Sequence, residues 1–214
     1  MPLVSLFAIN EWFSNHQSTP EFFVGVEFAY GNASDLKDLV DKVKNYTNLF
    51  VIGSPEISQN QTMLNETCDY IYNAGLHFIV LFTNFLDYNY VPYVWIIKAK
   101  QKYDDRFLGA YRIDEPGGKQ LDNGTDRLVL EAKNYTDAAQ NYVKDLHDYI
   151  EYWTYSGAKV FTADYCFYWF NYKAGYNTVL AEFGWNHSRP LTVALCRGAA
   201  KVQNRDWGTI VTWT

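Results

Sequence analysis

Apolar residues in this chain occur in short, continuous runs that alternate with segments of helical periodicity. Seven runs, each bounded by polar or turn-forming residues, predict strands at 22–28, 49–53, 76–82, 107–113, 160–163, 178–181 and 208–213. Because each run is continuously apolar rather than alternating, the pattern indicates a parallel sheet that is buried on both faces.

The connections between these runs have the features of helices. Ser34 is the predicted cap of the first helix, and further helices are predicted at 60–73, 92–103, 136–153 and 190–203. A polar insertion without helix is expected at 117–134. Strands that alternate with helices in this way predict an α/β fold, and seven units fit a (β/α)₈ TIM barrel better than a doubly wound sheet.

The predicted barrel is incomplete. Residues 1–21 are interpreted as an N-terminal lead segment, and 22–214 as a barrel domain with about seven strands. Since the sequence stops in or just after the seventh strand, we expect the C-terminal units to be missing, as in a fragment or a shortened barrel. Neither GxGxxG nor GxxxxGK[ST] occurs, so the sequence has no signature of a nucleotide-binding sheet.

Composition narrows the classes of partner. The net charge is −6 and no wide basic stripe is present, so nucleic acid is not expected as a partner. No run of about 18 apolar residues predicts a membrane span. The four His residues lack metal-site spacing and no CxxC occurs, so neither a metal nor a cofactor is predicted. Cys68 is interpreted as a small core residue, and one disulfide among the three cysteines is left open.

Sequons for N-glycosylation are frequent in this chain. Seven Asn-X-Ser/Thr sites occur, at Asn32, Asn45, Asn60, Asn65, Asn123, Asn134 and Asn186. Two interpretations remain open: Asn and Thr favour turns and helix caps, or the protein is glycosylated and extracellular or part of the cell envelope. The second needs an export signal, and residues 1–5 do not have the pattern of a signal peptide.

Polar residues gather where the predicted strands end. Glu27, Asn84, Asp164 and Glu182 end or follow the first, third, fifth and sixth strands. In a parallel barrel these strand ends form one active face, so we expect the side chains to converge on a mouth. Buried carboxylates are unfavourable unless they are paired or solvated, and a cleft would provide the solvation.

The run from Arg112 to Gly118, at the end of the fourth strand, carries the most specific signal. Alternation along the strand predicts that Arg112 and Asp114 share one face and that Glu115 lies on the other. Both carboxyl groups reach one site if the strand ends before Asp114. Pro116 is expected to hold Glu115 extended and to prevent a direct turn into a helix. Arg112 would keep Asp114 ionised, and Glu115 would be the proton donor.

Asp114-Glu115-Pro116 resembles the Asn-Glu-Pro motif of the large clan of retaining glycosidases that are built on this barrel. The resemblance implies that Glu115 is the general acid/base. It also implies a second Glu after strand seven as the nucleophile, and this sequence has none there. The Asp-Glu pair is similar to that of substrate-assisted hexosaminidases, in which the Asp orients the attacking acetamido group. Glu182 is the third option, as nucleophile or base.

The wider site is expected to bind carbohydrate. Candidate substrate-binding residues besides the catalytic Glu115, Asp114 and Glu182 are Glu27, Arg112, Asp164, Tyr30, Asn84, Tyr165, Trp185 and Trp213. Aromatic side chains at a barrel mouth can stack on sugar rings, although packing in the barrel core is an equally good interpretation. The run at 165–170 is predicted to lie near the rim.

Two functions from different classes therefore compete. The first is hydrolysis of an O-glycosidic bond by carboxylate acid/base catalysis. The second is a non-catalytic, glycosylated cell-envelope barrel that binds glycans or partner proteins. The chain is also similar to uncharacterised archaeal extracytoplasmic barrel proteins, a resemblance that implies no activity. The sequence does not determine the sugar, the stereochemical outcome or the oligomeric state.

Overall fold

Seven parallel strands lie side by side, in chain order, in the computed structural model of the protein, which describes residues 22–83, 87–122, 126–184 and 187–212. The strands are β1 (Gly25–Phe28), β2 (Leu49–Ile52), β3 (His77–Phe82), β4 (Phe107–Arg112), β5 (Lys159–Asp164), β6 (Thr178–Glu182) and β7 (Asp206–Ile210). Each strand pairs with the next in parallel register. The predicted seven-stranded parallel sheet is confirmed.

Every connection between consecutive strands contains at least one helix. The helices are α1 (Ala33–Val43), α2 (Pro55–Ser58), α3 (Gln61–Asn73), α4 (Pro92–Tyr103), α5 (Pro116–Leu121), α6 (Tyr135–Thr154), α7 (Tyr168–Ala174) and α8 (Arg189–Val202). A 3₁₀ turn, Asp104–Arg106, joins α4 to β4. None of the described helices has the length and apolar character to cross a membrane.

The two faces of the sheet bury different layers. Side chains that face the helices form the large core, to which β2 contributes Phe50 and Ile52. The inner face carries a smaller cluster, consisting of Ile79, Tyr111, Phe161 and Ala163. A flat sheet would separate β1 from β4 by roughly 14 Å, yet the charges that follow β4 act on a carboxyl group of β1. The sheet is therefore curled, and the architecture is an incomplete (β/α)₈ barrel.

Asparagine side chains begin three of the helices. Asn32 caps α1, because its Oδ1 accepts hydrogen bonds from the backbone N–H groups of Ser34 and Asp35. The prediction that Ser34 is the cap is therefore wrong by two residues. Asn60 caps α3 and Asn134 caps α6 in the same way. Three of the seven sequons thus have a structural reason to contain Asn at this position.

The region after β4 differs from the prediction. Helix α5 begins directly at Pro116 and extends to Leu121, into the segment that was expected to be a polar insertion. Glu115 is left-handed (φ 49°, ψ 51°) rather than extended, so the predictions for both residues are wrong. Proline disfavours only the right-handed α region for the residue before it, and it is itself well suited to the first position of a helix.

The cysteines are free in the structure. Cys68 and Cys196 are buried and Cys166 is partly buried, and none of them forms a disulfide. Cys68 lies in the core with Leu64 and Ile71, as predicted.

Gly109 sets the close pairing of β4 with β5. Its φ is 149°, and a Cβ atom built there would lie 2.0 Å from the carbonyl oxygen of Lys159. The β3–β4 register shifts at the same level, where Ile79 pairs with Gly109 rather than with Leu108. A side chain at this position would collide with the backbone of β5.

We therefore expect Gly109→Ala to destabilise the fold by more than about 3 kcal/mol. The matched control is Gly198→Ala on α8, where Gly198 is exposed and a Cβ atom meets nothing within 4 Å. That change should stabilise the protein by about 0.5–1 kcal/mol, because alanine is the better helix former. Urea unfolding of both variants measures the difference, and a mild effect of Gly109→Ala would show that this strand pairing is wrong.

Candidate active site

Four carboxyl groups converge at the carboxyl ends of the strands. Glu27 lies on β1, Glu182 is the last residue of β6, and Asp114 and Glu115 directly follow β4. The charges of Asp114 and Glu115 raise the pKa of Glu182, and Asp114 also raises that of Glu27. Since the ends of parallel strands share one edge of a barrel, four residues far apart in the sequence form one cluster.

A backbone irregularity after β4 brings two of these groups together. β4 ends at Arg112, and Ile113 and Glu115 then adopt positive φ angles of 54° and 49°. Positive φ is rare for a β-branched residue and interrupts the alternation of side chains along a strand. The predicted sharing of one face by Arg112 and Asp114 is therefore wrong.

Arg112 does not form the predicted ion pair with Asp114. Its guanidinium donates to the carbonyl oxygens of Phe82 and Thr83, at 2.6 Å each, and stacks over the ring of Trp153 at 5.1 Å. The side chain is 5% exposed and packs on the helix side of the sheet. Arg112 thus joins β4 to the end of β3, and it also lines a cavity together with Asp114 and residues of α6. Its role in substrate binding stays a prediction.

Tyr111 is the partner of Asp114 that the sequence did not reveal. Its hydroxyl donates a hydrogen bond to Asp114 Oδ1 and accepts one from the backbone N–H of Ala163 at 2.9 Å. Burial raises the pKa of the Tyr111 phenol well above its ordinary value, so the hydroxyl stays a donor. Asp114 itself is exposed, and its carboxylate is therefore oriented by Tyr111 but open to solvent.

Glu182 is the most buried of the four carboxyl groups, and Glu115 is its neighbour in the cluster. Glu182 is only 6% exposed, and its side chain lies within hydrogen-bonding reach of Glu115. Burial, and then the negative charges of Glu115 and Asp114, raise the pKa of Glu182 to about 8. Two carboxyl groups at this separation cannot both be ionised without strong repulsion. The raised pKa therefore favours the protonated form of Glu182 at neutral pH.

Glu27 completes the cluster from the opposite side. Its side chain reaches solvent at the mouth, but crowding by protein atoms, and then the charge of Asp114, raise its pKa. Gly53, just after β2, leaves the space that this side chain occupies, because a Cβ atom there would lie 2.6 Å from Glu27 Oε1. A glycine at the end of the predicted second strand was the available sequence signal for this close approach.

Asp164 does not open into the mouth. It is fully buried at the end of β5, where its carboxylate accepts hydrogen bonds from Gly117 N (2.6 Å), Gly118 N (3.0 Å) and Asn171 Nδ2 (2.7 Å). The prediction that it binds substrate is corrected: Asp164 contacts the loop that carries Glu115. Burial raises its pKa to about 6, and the hydrogen bonds from these groups oppose that rise.

The aromatic run at 165–170, which was predicted to lie near the rim, contributes to two different parts of the surface. Tyr165 lies close enough to Glu115 for that charge to affect its phenol, and its ring packs on His187 at 4.8 Å. Trp169, by contrast, belongs to α7 and lines an outer groove against α6. Tyr30 is 75% exposed in the loop after β1. Asn84, Trp185 and Trp213 lie outside the described residues.

Chemically, the cluster offers a buried carboxyl group with a raised pKa next to Glu115, a carboxyl group held by a phenol, and a further carboxyl group across the mouth. Among the described residues, no three His, Cys, Asp or Glu side chains are placed to hold one metal ion. The arrangement is suited to proton transfer between a buried acid and a neighbouring carboxylate.

Comparisons with known proteins find only distant structural likenesses. No family model and no curated protein sequence matches the chain. The solved structure of deoxyribose phosphate aldolase from Aeropyrum pernix is similar over 88% of this chain and 73% of its own, with 11% identity and a TM-score of 0.45. A rice β-glucosidase is similar over 86% of this chain, with 12% identity and a TM-score of 0.36. The chain spans 54% of that β-glucosidase. Likenesses this distant carry no argument about activity.

The raised pKa of Glu182 predicts how stability depends on pH. A carboxyl group whose pKa is higher in the folded than in the unfolded protein stabilises the fold at low pH, and this contribution is lost as the pH rises through the folded pKa. We therefore expect the free energy of unfolding to fall between about pH 4.5 and about pH 8. In Glu182→Gln an amide replaces the protonated acid, so this part of the decline should disappear.

Urea unfolding at about pH 5, about pH 6.5 and about pH 8 measures the effect. The control is Glu66→Gln, at an exposed position on α3, which should follow the wild-type decline. Parallel declines in wild type and Glu182→Gln would show that Glu182 does not hold the proton.

Proposed function

We propose that the protein hydrolyses an O-glycosidic bond, with Glu115 and Glu182 as its acid/base pair. The observation that carries this proposal is the buried position of Glu182 beside Glu115 at the barrel mouth, where burial and then the charges of Glu115 and Asp114 raise its pKa. Glycoside hydrolysis needs one protonated and one ionised carboxyl group at the same pH, and environments that drive two pKa values apart provide them.

This arrangement favours a distribution of roles that differs from the one implied by the sequence motif. Burial keeps the proton on Glu182, which makes it the better candidate for the general acid. Glu115 is then the negative partner, and it serves as the nucleophile or as the base that activates water. Glu182 gives its proton to the leaving-group oxygen as the glycosidic bond breaks, and water supplies the hydroxyl group and proton that complete the hydrolysis.

The resting pair must separate to admit substrate. Carboxyl groups are about 5–5.5 Å apart in retaining glycosidases and about 6.5–9.5 Å apart in inverting ones. Glu115 lies beside Glu182 in the unliganded protein. When a sugar enters between them, Glu182 keeps its proton and directs it to the glycosidic oxygen instead of to Glu115. Stereochemistry is therefore decided in the complex rather than in the unliganded pair.

Asp114 and Glu27 have supporting roles in this proposal. Asp114, held by Tyr111, is placed to stabilise positive charge at the sugar or to orient an acetamido group. The second role matches the substrate-assisted reaction, in which the acetamido group attacks and no protein nucleophile is needed. Glu27, on the other side of the mouth, is a candidate acceptor for sugar hydroxyl groups.

The first test is turnover of a panel of nitrophenyl glycosides that includes N-acetylhexosaminides. Glu115→Gln and Glu182→Gln should each lower kcat by about 10²- to 10⁴-fold, because each removes a proton-transfer group. Glu66→Gln is the control and should keep wild-type turnover. Unchanged turnover in either site variant, with the fold intact by thermal unfolding, would contradict the proposed roles.

Azide rescue separates the two roles. When a retaining glycosidase loses its nucleophile, azide attacks the sugar directly and gives a glycosyl azide of inverted configuration. When it loses the acid/base, azide gives the retained product. For a retaining reaction, with Glu115 as the nucleophile, we expect the inverted azide from Glu115→Ala and the retained azide from Glu182→Ala, assigned by proton NMR. The opposite pattern would restore Glu115 as the acid/base.

A second candidate is a non-catalytic, glycosylated envelope barrel that binds glycans or partner proteins. It is favoured by the exposure of the sequon residues Asn32, Asn45 and Asn134, whose side chains are accessible to a glycan. An extracellular or cell-envelope location, as in the archaeal barrel proteins that the chain resembles, is part of this candidate. Glycan binding without turnover, together with glycan mass on protein from its natural source, would favour it over the enzyme.

A further inference from the structure

Asp164 is the charged member of a set of hydrogen bonds that fixes the loop carrying Glu115. The loop runs along β5 and contacts it at three consecutive residues. The Thr162 hydroxyl donates to the carbonyl oxygen of Ile113 at 2.5 Å, and the N–H of Glu115 donates to the carbonyl oxygen of Ala163 at 3.0 Å. Asp164 then accepts from the N–H groups of Gly117 and Gly118.

These contacts hold a backbone that is unfavourable on its own. Ile113 and Glu115 both have positive φ, which persists in non-glycine residues only where the surroundings enforce it. Gly117 and Gly118 have no side chains because the approach is too close. Cβ atoms there would lie 2.6 Å from Asp164 Oδ2 and 2.4 Å from the ring of Tyr165. The two glycines thus allow the loop to approach Asp164 and Tyr165 closely.

Groups outside the loop also bind the carboxylate of Asp164. Asn171 on α7 donates to Oδ2, and the backbone N–H groups of Tyr165 and Cys166 donate to Oδ1 at 2.9 and 3.3 Å. The amide of Asn171 is in turn oriented by the hydroxyl of Tyr142, at 2.7 Å. With donors on both sides, Asp164 ties the β4–α5 loop to β5 and α7.

We infer that Asp164 is a positioning residue for Glu115, which it acts on through Gly117 and Gly118. The two amides that it binds lie in the first turn of α5, and Glu115 is the residue immediately before that helix. Fixing these amides fixes the left-handed conformation of Glu115 and so its position beside Glu182. This inference rests on the proposed function only for its effect on turnover, because the interaction between the two glutamates can be measured without a substrate.

The test is Asp164→Asn in the full chain, with two readouts. Titration of the glutamate side-chain carbons by ¹³C NMR follows the protonation of Glu182 directly, and we expect the raised titration of Glu182 to move back towards the ordinary range. Turnover of the best glycoside should lose about 10²-fold in kcat with little change in KM, as for a displaced catalytic group. Asp206→Asn is the matched control, since Asp206 pairs with Lys159 at the other end of β5. It should change neither readout.

The two readouts distinguish failure of this inference from failure of the proposed function. If no glycoside is turned over but Asp164→Asn still shifts the titration of the pair, the positioning role stands and the enzyme proposal falls. If turnover is found and Asp164→Asn changes neither kcat nor the titration, the positioning role is wrong.

A measurement on the wild type serves if Asp164→Asn does not fold. The backbone amide signals of Gly117 and Gly118 should titrate together with the Asp164 carboxyl carbon, because their protons bind that group directly. Independent titration of these signals would overturn the inference.

Discussion

The structure of the site depends on one constraint, the left-handed backbone at Ile113 and Glu115 directly after β4. This irregularity ends the alternation of the strand, leaves Arg112 on the helix side and turns Asp114 towards Tyr111. It also directs Glu115 to Glu182, two strands away in the sheet. Strain of this kind is retained where it forms part of a functional site, and here it places two carboxyl groups side by side.

A cluster of carboxyl groups must limit its own repulsion, and this one does so in two ways. Tyr111 donates to Asp114, and burial together with the charges of Glu115 and Asp114 raises the pKa of Glu182, which favours its protonated form. The inner face beneath them is apolar, with Ile79 and Phe161 as part of its floor. These low-polarity surroundings make the ionised form of Glu182 unfavourable, so the side chain keeps its proton.

Sequence patterns predicted the barrel well and the site only in part. Continuous apolar runs located all seven strands, because strands buried on both faces leave a pattern that does not depend on tertiary detail. The faces of Arg112 and Asp164 were predicted wrongly. The alternation of side chains along a strand does not reveal a positive φ at Ile113. An aspartate at a strand end gives the same sequence pattern whether it faces a cleft or binds a pair of glycine amides. Tyr111 was missed because its role appears only once Asp114 is turned towards it.

The most direct test of this account is the distance between the carboxyl oxygens of Glu115 and Glu182 in a high-resolution crystal structure at neutral pH. The account predicts a shortest separation of roughly 2.5–2.7 Å, the length of a hydrogen bond between a carboxylic acid and a carboxylate. A separation beyond roughly 5 Å, with each group solvated on its own, would contradict this hydrogen bond and leave the assignment of Glu182 as the acid without support.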